Sequence, residues 1–519
     1  MAAVQTLTWD DAWTLAPEIV LSLFTILLIL LDLFLPKRTN RDLIGWLSIA
    51  GLVAAAACVL FMIDLVNGSS SDSSSGVQIL LGGSYVVDDF GNLLKLAFLG
   101  AAALIVLGSL GTVKDDQVPI KGEMYYLVLP AVLGAMVMSS SGDLITMFVG
   151  LELLSITSYI LVAVRKRNRA SGEAAFKYVV TGGVASAFIL YGMSFLYGIT
   201  GATNVTAIRE SLASMQGGFD ALLYIAFFLM IAGFAVKLAL APFHAWAADV
   251  YQGAPTPVTA FLGVVAKGAA FAMLYRIFVN TIYALGQSNA QIKNDLLLAL
   301  SVLAAAAMIV GTTGALRQRN LKRLLALSGV ANAGILLIPL TTAFKTEMHA
   351  DFFSEFLFYL LAYVFMNVGA FTVLTVVGRS SGSETLSSFA GLYHRSPWIA
   401  VSMTVLLCSL AGLPVTGGFF GKLYILFGTA QTHDYWIGAI LLVTTIVSYA
   451  VYFGIIRQMY LRSGSVDGGL EVPAASGIVI GLCVIATLAL GVFPSPVMSW
   501  IHDTFSVFSD QSDLFMLLR

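Results

Sequence analysis

Three lysines sit where a lysine is hardest to keep. Lys237, Lys267 and Lys422 each lie roughly ten or more residues inside long apolar runs, about 15 Å from the nearer end at the helical rise. A lysine at the centre of a membrane-spanning helix costs ~2.5–3.5 kcal/mol on insertion scales, so such a charge is functional by default. The alternative, snorkelling to the headgroups, does not easily cover that distance. Glu152 is the carboxylate at matching depth, in Phe148-Val149-Gly150-Leu151-Glu152-Leu153-Leu154. A glutamate–lysine pair in low dielectric is a switch: with the carboxylate close the lysine holds its proton, and with the carboxylate withdrawn it releases it. Lys177 lies shallower, and its position fits snorkelling and proton transfer equally. His244 follows a proline in Ala241-Pro242-Phe243-His244-Ala245-Trp246, two helical turns past Lys237. A lone histidine is more often a satisfied core residue, but an imidazole exchanges protons near neutral pH, which favours a relay at this place. Lys95 and Arg276 fall close to the outer ends of their runs and read as snorkelled or structural.

The elements that must position these groups follow from composition. Of 519 residues 58% are apolar and 11% charged, against about 25% charged in soluble proteins. Too little polar surface remains to cover a water-facing globule, so a soluble enzyme, a nucleic-acid binder and a disordered scaffold are excluded. A net charge of -2 offers no clustered basic face for nucleic acid. Cys58, Cys408 and Cys483 all lie in apolar runs without a CxxC pair, so neither disulfides nor a metal or iron–sulfur site is expected. No phosphate-binding glycine loop or nucleophile elbow is present. The first apolar run lacks a basic flank before it and is too long for a signal-peptide core.

With about twenty apolar residues per crossing, the chain reads as an all-α polytopic membrane protein of about fourteen helices. They fall at about 16–35, 43–65, 92–111, 124–139, 143–164, 172–199, 220–246, 255–281, 294–316, 321–342, 353–377, 398–432, 434–461 and 473–493, followed by a short surface tail. Connections leaving odd-numbered helices hold seventeen Lys and Arg, and those leaving even-numbered helices plus the tail hold four. Basic loops are retained on the side of synthesis, so both termini are expected on the outer, lumenal or periplasmic face. The pattern L-A-x-x-P occurs at Leu238–Pro242 and again at Leu410–Pro414, 172 residues on. The same offset carries helix four onto helix nine. Blocks five helices apart run in opposite senses, which makes an inverted repeat of helices 4–8 and 9–13, as in ion-coupled transporters. Proline and glycine in both matched stretches break helices 7 and 12, and a broken helix is tolerated at membrane depth only where it is buried or lines water. The organisation expected is a three-helix segment over 1–120, repeats over 121–285 and 286–465, and a last helix with tail over 466–519.

The motifs carry a resemblance. KLALAPFHAWAADVYQGAPTPVTAFLGVVAKGAA (237–270) and SLAGLPVTGGFFGKLYIL (409–426) resemble the antiporter-like membrane subunits of complex I. GDLITMFVGLELLSITSYIL (142–161) and EAAFKYVVTGGVASAFILYG (173–192) are similar to that family's fifth and sixth helices. Within the family the chain resembles most the B-type branch, subunit 2 of the photosynthetic complex-I-like NAD(P)H dehydrogenase of cyanobacteria and chloroplasts. The resemblance implies a proton-translocating, non-redox subunit of a quinone oxidoreductase, with two half-channels joined by a central hydrophilic axis. It implies roles for Glu152 and Lys237 as the pair of the first half, Lys267 as the connecting lysine, Lys422 as the exchanging lysine of helix 12, and Lys177 and His244 at further family positions. It implies no cofactor in this chain, iron–sulfur clusters and plastoquinone in other subunits, further antiporter-like subunits and lipids as partners, and a thylakoid membrane. One departure concerns helix ten, where family members often carry a histidine and this chain has Asn332, which does not bind and release a proton near neutral pH. The second half must then use water or other residues near that point.

Three function classes compete. A pump subunit driven by quinone reduction elsewhere is preferred. A cation/proton antiporter subunit or autonomous secondary transporter would need a solute-sized cavity, and the absence of a mid-membrane arginine clamp speaks against an anionic solute. A structural spacer would not retain four mid-membrane charges.

Overall fold

The computed structural model describes residues 9–36, 39–68, 77–113, 118, 121–215, 217–344, 351–463 and 469–504. The expected surface tail beyond 504 lies outside them. The helices run α1 (Trp9–Thr14), α2 (Ala16–Phe34), α3 (Asp42–Gly68), α4 (Asp89–Ser109), α5 (Lys121–Tyr126), α6 (Val128–Ser140), α7 (Leu144–Val162) and α8 (Arg169–Thr200). They continue with α9 (Val205–Ala213), α10 (Asp220–Lys237), α11 (Ala245–Gly253), α12 (Thr256–Phe261), α13 (Lys267–Ser288), α14 (Ala290–Ala315), α15 (Leu321–Thr342) and α16 (Phe352–Ser381). The last are α17 (Leu392–Arg395), α18 (Pro397–Ala411), α19 (Gly417–Gln431), α20 (Tyr435–Leu461), α21 (Ala474–Val492) and α22 (Pro494–Thr504).

Thirteen helical runs among the described residues are long and apolar enough to cross a membrane. The fourteenth crossing is helix 12, split into α18 and α19, each of 15 residues and too short alone. The all-α, fourteen-crossing architecture with two broken helices is therefore the observed one. Starts are set by side-chain caps: Asp143 accepts from the amides of Ile145 and Thr146, Asn168 from Ala170 and Asn320 from Arg323, so these polar residues satisfy donors that the first turn leaves open.

Helix 7 departs from the expected 220–246 run. It stops at Lys237, turns, and resumes as α11 to Gly253, because Ala239 takes a left-handed conformation and Pro242, which has no amide donor, follows. The two breaks share one backbone motif. Leu240 N–H donates to the Ala235 carbonyl after left-handed Ala239, and Leu413 N–H donates to the Cys408 carbonyl after left-handed Gly412. Both are left-handed C-terminal caps that close the freed carbonyls. The backbones correspond at an offset of 173, one residue more than the matching letters.

In lipid, helix association comes from close packing rather than hydrophobic transfer. α6 meets α7 where a Cβ at Gly134 would stand 2.7 Å from the Gly150 carbonyl. The most enclosed crossings are the eighth and tenth, each 94% buried in its apolar window, and the eleventh at 83%; the first is 22% buried. The middle of the molecule is thus made of α12–α13, α15 and α16. One element was not anticipated: an antiparallel hairpin, β1 (Gln78–Leu80) with β2 (Tyr85–Val87), in register Leu80↔Tyr85. Its turn carries Gly82 and Gly83, both at positive φ.

A Cβ at Gly418 would run into the Ser409 carbonyl, whereas one at Gly183 meets nothing. Gly418→Ala is therefore expected to force α18 and α19 apart and cut the amount of folded protein recovered from membranes severalfold, while Gly183→Ala leaves it unchanged. Quantitative immunoblotting of solubilised membranes checks the order.

Candidate functional site

The first part of the site joins α7 to the end of α10. Lys237, the last residue of α10, donates from Nζ to Ser155 Oγ at 2.9 Å. Ser155 lies three residues after Glu152 on α7, so both belong to one helix face. Glu152 is within electrostatic range of Lys237, but among the described residues no direct ion pair joins them. The buried Glu152 Oε1 has no hydrogen-bond partner there. Ser155 was not singled out by sequence; its spacing from Glu152 was the available signal.

The middle is Lys267, 3% exposed. It follows a π-helical segment, Leu262–Ala266, a distortion that concentrates at functional sites. Its Nζ donates to the Gly329 carbonyl of α15 at 2.8 Å. From the neighbouring Ser328 a chain of polar groups continues: Ser328 Oγ and Tyr452 Oη lie 2.6 Å apart, Asn332 Nδ2 donates to the Ser328 carbonyl at 2.9 Å, and Tyr359 Oη donates to Asn332 Oδ1 at 2.5 Å. Asn332 thus stands between hydroxyls. These hydroxyls, from α15, α16 and α20, are the other residues near that point; no local sequence pattern marks Tyr452, which comes 120 positions later.

Lys422 closes the series. It is buried on α19 and donates to the carbonyls of Leu410 and Ala411 at 2.8 and 3.3 Å. These are last-turn carbonyls of α18, which a cation suits both as a donor and against the helix dipole. Gly412 permits the left-handed cap and the approach, since a Cβ there would stand 3.1 Å from Lys422 Cδ. Lys422, Ser328, Asn332 and Tyr452 line a common cavity of ≈ 20 Å³, space for about one water.

Lys177 and His244 stand apart from this series. Lys177 Nζ pairs with Glu173 at 2.7 Å and Asp249 at 2.8 Å, and its side chain is 39% exposed. Asp249 also receives Arg323. His244 stands just before the first residue of α11 without capping it, and its buried Nδ1 has no hydrogen-bond partner among the described residues. Lys95 and Arg276 are not snorkelled. Lys95, 1% exposed, pairs with Glu18 at 2.9 Å and donates to Tyr85 Oη at 2.6 Å. Arg276 makes a bidentate contact with Asp88 and donates to the Ser139 carbonyl. Both have partners distant in sequence, which turn them inward.

Fourteen crossings, two interrupted helices at corresponding places and lysines held on backbone carbonyls and hydroxyls define an antiporter-like polytopic membrane protein. A family model described as NADH:quinone oxidoreductase/Mrp antiporter, TM, matches residues 141–448. The NADH-quinone oxidoreductase subunit N of Paenibacillus sp. is 54% identical over 518 residues, 98% of this chain and 99% of the relative. That of Brevibacillus brevis is 46% identical over 95% of each chain. A chain of respiratory complex I from Thermus thermophilus with bound aureothin superposes with a TM-score of 0.75 at 30% identity, covering 93% of this chain and 98% of that one. The chain belongs to the NADH:quinone oxidoreductase/Mrp antiporter membrane family. The relatives overturn the likeness to the photosynthetic subunit 2, and with it plastoquinone and the thylakoid. The motifs that suggested it lie in helices 5–8 and 12, whereas identity over the whole chain points to bacterial NADH-quinone oxidoreductase subunit N.

Removing one partner of a buried pair leaves an uncompensated charge. Glu18→Gln should therefore destabilise the protein by about 3 kcal/mol or more, while Glu173→Gln, at the exposed pair, should have little effect. Thermal unfolding in detergent, followed for both variants, checks the contrast.

Proposed function

We propose that the chain is a proton-translocating, non-redox membrane subunit of an NADH-quinone oxidoreductase, the complex for which its relatives, each called subunit N, are named. The observation that carries this reading is the series from Lys237 on Ser155, through Lys267 on the Gly329 carbonyl, to Lys422 on the broken end of α18. Each is an ammonium that donates to a neutral acceptor, so for Lys267 and Lys422 losing a proton strands no buried carboxylate partner. Glu152 supplies the movable charge beside Lys237. Ser328, Tyr452, Asn332 and Tyr359 connect the region of Lys267 to that of Lys422, with room for about one water between. Lys177 and His244 serve the approach to the first half from the α8 and α11 side.

On this reading electrons pass through other subunits, which hold the iron–sulfur clusters and the quinone site, and this chain holds no cofactor. Its partners are the other membrane and peripheral subunits, including further antiporter-like ones, and lipid. The membrane is the bacterial plasma membrane, and the excess of basic residues in alternate connections supports both termini lying outside the cytoplasm. A solute transporter is disfavoured by the cavity beside Lys422, which is water-sized.

The test is NADH-driven proton uptake in inverted membrane vesicles at equal complex content. Lys267→Ala and Lys237→Met should each lower the protons moved per electron by the share this chain carries, with quinone reductase activity and assembly retained. Normal ratios in both would make the lysines structural and the chain a spacer. Glu152→Gln should impair uptake more than Asn332→Ala, and Tyr452→Phe, which removes the hydroxyl from Ser328, should fall between wild type and Lys267→Ala. The reverse order for Glu152 and Asn332 would misplace the route.

A further inference from the structure

Away from the lysine series, one rim of the molecule gathers arginines around a cavity of ≈ 620 Å³, within the range of ligand pockets. Arg165 and Arg167 come from the connection between α7 and α8, Arg169 from the start of α8, and Arg379 from the end of α16. The carboxylate in the same wall, Glu384, is already engaged: it pairs with Lys322 Nζ at 2.7 Å and accepts from the Thr256 hydroxyl at 2.9 Å. Lys322 is fully buried, so Glu384 is paired with that charge and acts on Arg165 only through space. Arg379 donates to the Gly111 carbonyl, which neutralises nothing. Arg165 Nε is buried without a hydrogen-bond partner among the described residues. Burial lowers the pKa of Arg165 from its ordinary value, with the charge of Glu384 opposing.

Among the described residues, the four guanidinium groups at this polar space share one carboxylate, Glu384, whose two oxygens are taken by Lys322 and Thr256, and an arginine fork suits two oxygens of one anion. The ends of α4, α7 and α16 and the starts of α8 and α12 meet at this rim, so the cavity lies at the level where helices leave the membrane. By the orientation proposed above this is the cytoplasmic face, whose leaflet carries anionic lipid; basic pockets between helices there suit such headgroups.

We propose that this cavity binds a phosphate-bearing anion, carried by an anionic phospholipid headgroup or present as free phosphate. The site is separate from the lysine series, and its occupancy is read without proton transfer, so the two readings fail separately.

The complex is purified from wild type and from the triple variant Arg167→Gln, Arg169→Gln, Arg379→Gln, and lipid retained after detergent exchange is measured by phosphorus assay and lipid mass spectrometry. The variant is expected to lose about one anionic phospholipid per complex, with zwitterionic lipid unchanged. In a second arm, delipidated wild-type and variant complexes are titrated with inorganic phosphate, phosphatidylglycerol micelles or phosphatidylcholine micelles, and the thermal midpoint is followed. A rise with phosphatidylglycerol alone, lost in the variant, assigns the headgroup. A rise with inorganic phosphate as well, lost in the variant, assigns free phosphate. Equal lipid content with no arginine-dependent rise overturns the proposal. So does a photo-cross-link from p-benzoylphenylalanine at position 167 into an acidic protein segment. Should the triple variant fail to assemble, Arg167→Gln alone, on an exposed side chain, carries both measurements.

Discussion

In a medium without water, every freed backbone group and every charge must find its partner inside the protein. The interruption of helix 12 meets both demands with one contact. Ending α18 at Ala411 leaves last-turn carbonyls without helical donors, and burying Lys422 leaves an ammonium without solvent. Lys422 Nζ donates to the carbonyls of Leu410 and Ala411, so each deficit offsets the other. The surroundings follow from that contact: Gly412 must be left-handed and bare, Gly418 must let α19 return against Ser409, and the carbonyl-rich break must be enclosed by neighbouring helices rather than lipid.

The same economy explains Lys267. Its partner is the Gly329 carbonyl in the continuous helix α15, so no break is needed there. The position opposite must instead be a glycine, because a side chain at 329 would stand 3.1 Å from both Lys267 Nζ and Tyr363 Oη. Lys95 shows the contrasting solution. It sits in the same low dielectric but has a carboxylate, Glu18, and a tyrosine hydroxyl, Tyr85, as fixed partners. A lysine tied to a carboxylate anchors the first crossing and the hairpin to α4; a lysine tied only to neutral acceptors remains able to give up its proton without stranding an anion.

Much of this was legible in the sequence because membranes impose a length and a polarity on every crossing. The fourteen runs, the two breaks and the three deep lysines all follow from counting apolar residues, prolines and charges. What was not legible depends on contacts between distant segments. For Lys95 and Arg276, position along the chain leaves snorkelled and structural readings open, and only Glu18 and Asp88, brought beside them by the fold, decide for structural. Ser155, not a carboxylate, meets Lys237, because helix phase turns Ser155 and Glu152 to one side and the hydroxyl is nearer. The hairpin escaped because three-residue strands are too short to show a period. The branch of the family is not legible in the helix-breaking motifs, which its members share, but in residues spread over the whole chain.

The one-residue difference between the letter repeat and the backbone repeat has a structural consequence. At the backbone offset of 173, left-handed Ala239 corresponds to Gly412, so Lys237 corresponds to Leu410, and Lys422 to Asp249. The charge therefore sits before the break in the first repeat and after it in the second. Because the repeats are inverted, the incoming half of helix 7 and the outgoing half of helix 12 lie toward the same membrane face. Asp220, at the start of α10, is held by Asn289 at the turn between α13 and α14, on the face where α19 ends. A faithful copy would have placed the second lysine at position 410, toward the opposite face. The backbone is two-fold and the charges are not, so both lysines stand on half-helices of one side, while Asp249, Lys177 and Arg323 form their ion-pair cluster on the other.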